Sequence, residues 1–171
     1  MKINLVTCDV RSWRWQDRSS LVHHANNRNV WINLRDRFPH PYTDEDARMW
    51  LEFATARRPE TNFAISVNDE AVGGIGFSLE TDVGYRSAEI GYWLGQEFWG
   101  RGIATECLKA VTDYAFSNFD LCRLYAHVFE WNQPSARVLE KAGYVQEGRL
   151  RMSVTKEGRT IDQFLYANVR G

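Results

Sequence analysis

A glycine-rich turn joins a strand-like segment to a helix-like segment in the middle of the chain, and this junction constrains the fold more than any other feature. Residues 88–94 alternate apolar and other residues, as a strand does, whereas from Ile103 onward apolar residues recur at helical spacing. The turn between them, residues 97–106, contains Gly100 and Gly102. The first amides of a helix have no partner within it, and glycine lets an anion approach the backbone closely. The turn therefore predicts a binding site for a phosphorylated cofactor.

Two common phosphate-binding loops do not fit this turn. A P-loop has Lys followed by Ser or Thr after its last glycine, whereas Ile103 and Ala104 stand here. A dinucleotide-binding loop has a third glycine, where this chain has Thr105. The sequence also shows no acidic pair for a metal–nucleotide complex. These absences argue against a nucleotide-dependent phosphotransferase.

Two segments carry a resemblance to a known superfamily. Residues 99–104 resemble the acyl-CoA pyrophosphate loop of the GNAT acetyltransferases, Q/R-x-x-G-x-G/A, with Gly102 and Ala104 at the small positions and Trp99 in place of the usual Gln or Arg. Residues 132–144 are similar to the N-x-x-S-x-x-x-L-x-K-x-G-F/Y segment of the same superfamily, in the form typical of the RimJ/RimL-type ribosomal-protein N-terminal acetyltransferases. Residues 39–47 also resemble that branch. Together the matches cover almost the whole chain.

The resemblance implies an α/β (α+β) fold in which helices flank a mixed, mainly antiparallel sheet. The hydrophobic pattern agrees with this order of elements. Helices are predicted at about 16–26 and 44–55, after the glycine-rich turn, and between Pro134 and Gly143. Residues 30–42 are expected to form a loop beside the cleft. The predicted strands are residues 3–10, 63–67, 71–79, 88–94, 124–129, 144–154 and 161–169.

Length and composition predict one domain spanning 1–171, in the cytoplasm. The formal net charge of −1 gives no overall basic field for nucleic acid. Three widely spaced cysteines fit neither a disulfide framework nor a zinc site. Neither a signal peptide nor a membrane-spanning apolar run is visible. The expected partner is an amine acceptor rather than nucleic acid or a membrane, and monomer and homodimer both remain open.

The resemblance implies that acetyl-CoA is the co-substrate, held mainly by backbone groups. In the resembled family the amides of the turn hold the pyrophosphate, and the pantetheine arm pairs with the strand before the turn. The asparagine that begins the later segment contacts the arm, and its serine lies near the sulfur. The residues expected to bind acetyl-CoA are therefore Trp93, Leu94, Trp99, Gly100, Arg101, Gly102, Ile103, Ala104, Thr105, Asn132 and Ser135.

Glu89 and Ser135 are the candidate catalytic residues. Period-two alternation places Glu89 on the same strand face as Gly91 and Trp93. A carboxylate beside an aromatic residue is expected to have a raised pKa and to deprotonate an amine through water. An exposed Glu89, or one paired with a residue such as Arg86, is the alternative, as is an amine that arrives neutral. By resemblance, Ser135 donates a proton to the departing thiolate.

The sequence assigns no catalytic or metal-binding role to the histidines. His127 shares a predicted strand face with two aromatic residues, which favours a structural role. His23 and His24 lie in a predicted helix, but the sequence shows no third ligand at metal spacing. The sequence therefore predicts no metal site.

The function predicted from these residues is acetyl transfer from acetyl-CoA to a primary amine. The acceptor is either a protein N-terminal α-amine, which analogy favours, or a small amine such as an antibiotic, a polyamine or an amino acid. A non-catalytic acyl-CoA sensor is the alternative from another class. The joint presence of Glu89, Asn132 and Ser135 argues against it.

Overall fold

The fold is built on one eight-stranded sheet, and the computed structural model describes residues 1–171 throughout. The strands are β1 Lys2–Asn4, β2 Asp9–Ser12, β3 Asn62–Val67, β4 Glu70–Leu79, β5 Ser87–Leu94, β6 Arg123–Phe129, β7 Val145–Lys156 and β8 Arg159–Val169. Their spatial order is β1-β2-β3-β4-β5-β6-β8-β7, and β5–β6 is the only parallel neighbouring pair. The predicted mixed, mainly antiparallel sheet is confirmed.

Five helices accompany the sheet. They are α1 Arg18–Ala25, α2 Arg28–Trp31, α3 Asp44–Ala56, α4 Ile103–Asn118 and α5 Gln133–Lys141. Helix α3 begins with a capping box, because the Thr43 hydroxyl accepts from the Asp46 amide while the Asp46 carboxylate accepts from the Thr43 amide. No helix has the length and apolar character needed to cross a membrane.

The first predicted strand was wrong in one respect. Residues 3–10 are not one strand but parts of β1 and β2, which pair with each other in antiparallel fashion. The connecting turn places Val6 in solvent, with 94% of its surface exposed, and the Leu5 amide donates to the Cys8 carbonyl. No glycine or proline marks this turn, so alternation alone merged the two strands.

Apolar side chains pack on both faces of the sheet. On one face, α4 buries Ile103, Cys107, Leu108 and Val111 in the larger core, which also includes residues of β3, β4, β5 and β6. On the other face a smaller core joins α1 and α3 to the sheet. The first core fixes α4, and therefore the turn that precedes it, against the end of β5.

Candidate active site

A wedge between β5 and β6 forms the centre of the site. The two parallel strands pair only through Ser87, Ala88 and Glu89, after which β5 continues to Leu94 and β6 to Phe129 without pairing to each other. A cleft of about 1440 Å³ is lined by both strands, the glycine-rich turn and α5. The separation of the strands therefore opens a passage between the two faces of the sheet.

The glycine-rich turn presents unpaired amides at one end of this cleft. The backbone amides of residues 100–105 find no acceptor within the chain, and the first amide of the helical ladder is that of Glu106, which donates to the Gly102 carbonyl. Gly100 and Gly102 have φ angles of 75° and 81°, a region that residues with side chains rarely adopt. The macrodipole of the 16-residue α4 adds partial positive charge at this point. The arrangement suits the pyrophosphate that the sequence leads us to expect against residues 99–105.

The edge of β5 that faces the wedge offers further backbone groups. The Gly95 amide donates to the Val72 carbonyl, so the alternation of antiparallel pairing turns the peptide groups of Trp93 toward β4 and those of Leu94 toward the wedge. The Leu94 carbonyl already accepts from the Trp99 indole at 2.7 Å. Of the two residues expected to pair with pantetheine, Leu94 thus has the backbone orientation required, whereas Trp93 contributes a side chain on the other face.

Helix α5 closes the wedge on the side of β6. The Asn132 side chain caps this helix by accepting from the Ser135 amide at 3.3 Å. The Ser135 hydroxyl lies 2.8 Å from the Tyr92 hydroxyl, which also lies 3.2 Å from the Ser135 carbonyl. Burial raises the pKa of Tyr92, so its hydroxyl keeps its proton at neutral pH. A pair of hydroxyl groups therefore bridges β5 and α5 where the wedge is open.

Glu89 lies on the opposite face of β5, where the basic side chains of His127 and Arg35 hold it. Its Oε1 accepts from His127 Nδ1 at 2.9 Å and from the Arg35 guanidinium. Burial by itself would raise the pKa of Glu89, but the hydrogen bonds from His127 and Arg35 outweigh it and lower the pKa. The raised pKa expected from the sequence was therefore wrong. Arg86, the partner considered there, instead pairs with Asp120.

The contact with Glu89 gives His127 a defined orientation. A carboxylate at Nδ1 favours the tautomer that carries its proton on that nitrogen, which leaves a lone pair on Nε2. His127 lines the cleft and keeps 22% of its side chain exposed. The arrangement joins a proton acceptor, His127, to a residue that orients it, Glu89.

Sequence reasoning missed three of these residues. Arg35 lies in a segment expected to be a loop, and no local pattern connects it to Glu89. His127 was given a structural role because its neighbours Tyr125 and Phe129 are aromatic. Tyr92 stands on an apolar strand face between Ile90 and Leu94, and a lone hydroxyl on such a face was the only available signal.

A second polar cluster lies outside the cleft. His23 and His24 of α1 meet Glu97, which belongs to the 3-10 turn before the glycine-rich segment. The sequence showed no third donor beside the two histidines, and the structure supplies one in Glu97. The absence of a metal site stays a prediction, and the cluster adds a carboxylate that the sequence pattern did not reveal.

The charged residues lining the cleft are mainly cationic. Arg35, Arg37, Arg57, Arg137 and Lys141 line it, together with the acidic residues Asp46 and Glu89. Asp46 is engaged at the start of α3 and Glu89 is engaged by Arg35 and His127. The cleft therefore has no unpaired carboxylate for a polycation.

Comparisons with known proteins agree with this geometry. Residues 9–145 match the family described as acetyltransferase (GNAT) domain. The chain is 33% identical over 133 residues to the uncharacterised N-acetyltransferase p20 of Bacillus licheniformis, which is 74% of each chain. It is 30% identical over 107 residues to the ribosomal-protein-serine acetyltransferase of Escherichia coli, covering 63% of this chain and 59% of that protein.

A solved structure shares the fold of this chain. RimJ of Mycobacterium smegmatis in complex with CoA-disulfide superposes with a TM-score of 0.83 at 26% identity. The match covers 95% of this chain and 81% of that one.

Proposed function

This chain belongs to the GNAT family of acetyltransferases, whose members use acetyl-CoA, and we propose that it transfers the acetyl group to the α-amine of a protein N-terminus. The observation that carries this proposal is the wedge between β5 and β6. Unpaired amides lie at its cofactor end, and the pair formed by His127 and Glu89 lies on the face where an acceptor can enter.

The end of the wedge at the glycine-rich turn, called the cofactor half, binds acetyl-CoA through backbone groups. The amides of residues 100–105 hold the pyrophosphate, and the free edge of β5 at Leu94 pairs with the pantetheine arm. Asn132, which caps α5, and Ser135, in its first turn, line the same cleft. There they contact the arm near the thioester. The thioester supplies the activated acetyl group.

The face of the wedge that carries His127 and Glu89, called the acceptor half, is where the amine loses its proton. His127 Nε2 takes this proton, while Glu89 holds Nδ1 and stabilises the imidazolium that forms. A lowered pKa makes Glu89 itself a weak base, so its part is to position and charge-balance His127. An α-amine has a pKa of about 8 and is thus easier to deprotonate than a lysine at about 10.4.

The hydroxyl pair completes the proton balance. Attack of the amine on the thioester carbonyl forms the C–N bond and breaks the C–S bond. Ser135 passes its hydroxyl proton to the departing thiolate and regains one from the second proton that the attacking nitrogen loses as it becomes an amide, so no alkoxide remains. The Tyr92 hydroxyl shares a hydrogen bond with the Ser135 hydroxyl. Tyr92 is thus a positioning residue for Ser135.

The charges of the cleft favour one acceptor class. A polyamine carries several positive charges and requires free carboxylates, but Asp46 and Glu89 are both engaged. A protein N-terminus carries one positive charge at the reacting group, and it loses that charge before attack. The apolar side chains around the acceptor face suit the residues that follow such an N-terminus; they are Phe38, Met49, Trp50, Phe53 and Trp93.

The proposal is tested by release of CoA thiol with matched acceptors. The panel contains a short apolar peptide with a free N-terminus, the same peptide with a blocked N-terminus and an internal lysine, and spermidine. We expect the free-terminus peptide to give the highest kcat/KM. Equal turnover of both peptides, or preference for spermidine, would overturn the assignment to an α-amine.

Thermal unfolding separates catalysis from simple cofactor binding. Acetyl-CoA at 100 times its dissociation constant adds about 2.7 kcal/mol to stability, whereas ATP and NADH are expected to add nothing. Stabilisation by acetyl-CoA without turnover of any amine in a broad panel would support a non-catalytic acyl-CoA sensor. No stabilisation by acetyl-CoA or CoA would contradict the role of the wedge.

A further inference from the structure

We propose that His23, His24 and Glu97 bind a divalent transition-metal ion of the zinc class, at a site separate from the cleft. The donor atoms of these three residues all lie within 4.8 Å of one another. Glu97 Oε1 lies 3.4 Å from His24 Nδ1 and 3.6 Å from His23 Nε2. Bonds of about 2.0–2.1 Å in a tetrahedral zinc site place neighbouring ligands about 3.4 Å apart. Two of the three edges already have that spacing.

The orientation of His24 points to a cation. Its Nε2 lies 2.9 Å from Glu70 Oε1, a contact in which Nε2–H donates to the carboxylate. In that tautomer Nδ1 presents a lone pair toward the Glu97 carboxylate. Two lone pairs at 3.4 Å repel each other unless a positive charge lies between them. Metal-bound histidines characteristically donate their other ring N–H to a carboxylate, and Glu70 takes that part here.

The His24 ring is fixed by close packing. Only 4% of its side chain is exposed, and its ring makes an edge contact with Phe98. A Cβ at Gly95 would lie 2.8 Å from His24 Nδ1, so glycine at this position makes room for the ring. The buried ligand is therefore held in place before an ion binds, which lowers the cost of forming the site.

The other two ligands can adjust to the ion. His23 and Glu97 keep 70% and 61% of their side chains exposed. A polar hollow of about 630 Å³, with no apolar residue in its lining, adjoins the site and includes His23 and Glu70. Side-chain rotation closes the third edge, and water from this hollow fills the fourth coordination position.

The chemistry of the donors selects the class of metal. Two imidazoles and one carboxylate suit zinc, cobalt or nickel, whereas magnesium and calcium prefer oxygen ligands alone. One ion would connect α1 to the turn that leads into residues 99–102. It would therefore reduce the motion of that turn without touching the acetyl group or the acceptor.

Metal binding to tag-free, chelator-treated protein tests the proposal directly. We expect calorimetric titration with Zn²⁺ to give one ion per chain, and Co²⁺ to give visible absorption bands of a tetrahedral site. His23→Ala and Glu97→Gln change exposed side chains and are expected to weaken binding at least about tenfold. Glu70→Ala is expected to weaken it about 10- to 100-fold through loss of the outer hydrogen bond.

His40→Ala provides the matched control, because His40 lies elsewhere and contacts Trp31. It is expected to bind Zn²⁺ as the unchanged protein does. No binding, or binding that survives both His23→Ala and Glu97→Gln, would overturn the site. A cluster that gains stability only on acidification, with no effect of Zn²⁺, would mean that a second proton on His24 supplies the positive charge, and this outcome also overturns it.

Discussion

The cofactor half of the wedge is formed mainly by backbone groups, whereas the acceptor half is formed by side chains. The cofactor half contains six unpaired amides of residues 100–105, two glycines with positive φ and the free edge of β5. In the acceptor half, Glu89 is held by His127 and Arg35. Backbone donors tolerate changes of side chain but not of conformation. Side-chain donors respond to single substitutions and to pH.

The largest expected effect lies in the acceptor half. His127→Gln removes the proton acceptor while keeping a polar group of similar reach beside Glu89. We expect kcat to fall about 100-fold or more, since general-base catalysis contributes about 10²–10⁴-fold. Stabilisation by acetyl-CoA is expected to remain unchanged. Steady-state kinetics with thermal unfolding in acetyl-CoA measure both, and a kcat close to that of the unchanged enzyme would remove His127 from the reaction.

A change of backbone conformation is the corresponding test of the cofactor half. Gly102 and Gly158 have similar φ angles, 81° and 72°, and a Cβ at either would meet no atom within 4 Å. Gly102→Val and Gly158→Val are therefore expected to lose similar stability, about 1–3 kcal/mol each. Only Gly102→Val is expected to raise the dissociation constant of acetyl-CoA, by at least about tenfold. Equal affinity in the two variants would contradict the backbone cradle.

The hydroxyl pair is the exception to this division, because it places side chains in the cofactor half. Ser135→Ala removes the proposed donor, and Tyr92→Phe removes the hydroxyl that positions it. We expect each to lower kcat about tenfold, with the double variant little worse than either because the two act as one unit. Fully additive losses, measured in a double-mutant cycle, would mean that the two hydroxyls act separately.

Stability is expected to depend on pH through Glu89 in the acceptor half, whereas the backbone groups of the cofactor half do not titrate. The lowered pKa of Glu89 means that its ion pairs stabilise the fold above the ordinary pKa of about 4.3, and that this contribution is lost as pH falls through the lower folded value. Glu89→Gln is therefore expected to melt several degrees below the unchanged protein at pH 7. The difference in melting temperature between the two proteins should disappear below about pH 4. Two parallel melting curves from pH 3 to pH 7 would argue against the ion pairs.

The smallest effect is expected from Trp99. Its indole donates to the Leu94 carbonyl, but the phosphate donors of the turn are amides. Trp99→Gln restores a residue usual in the resembled loop, and we expect the dissociation constant of acetyl-CoA to change by less than about threefold. Calorimetry measures it. A tenfold change would show that the cofactor half depends on side chains after all.

Local patterns predicted the cofactor half well. The turn and the start of α4 at Ile103 follow from the glycines and from apolar periodicity within about 20 residues. The GNAT family predicted from these segments is confirmed. The cofactor contacts of Asn132 and Ser135 stay predictions, although both residues line the cleft.

Partners distant in sequence could not be predicted in the same way. Arg35 and Glu89 are 54 positions apart, and His127 is a further 38 along the chain. Their contacts depend on the register of β5 with β6 and on the path of the segment after α2. Glu97 likewise meets His23 and His24 only after α1 has packed near the turn. Periodicity describes one element at a time and carries no information on such distances.

The gap between β5 and β6 has a consequence for how long the enzyme survives. An open edge in the middle of a sheet is a place where local opening begins and where a protease gains access. An acyl donor that pairs with this edge would close it and shift the balance away from opened forms. The abundance of the enzyme would then follow the supply of its own substrate, with chains degraded faster in a cell that is short of it.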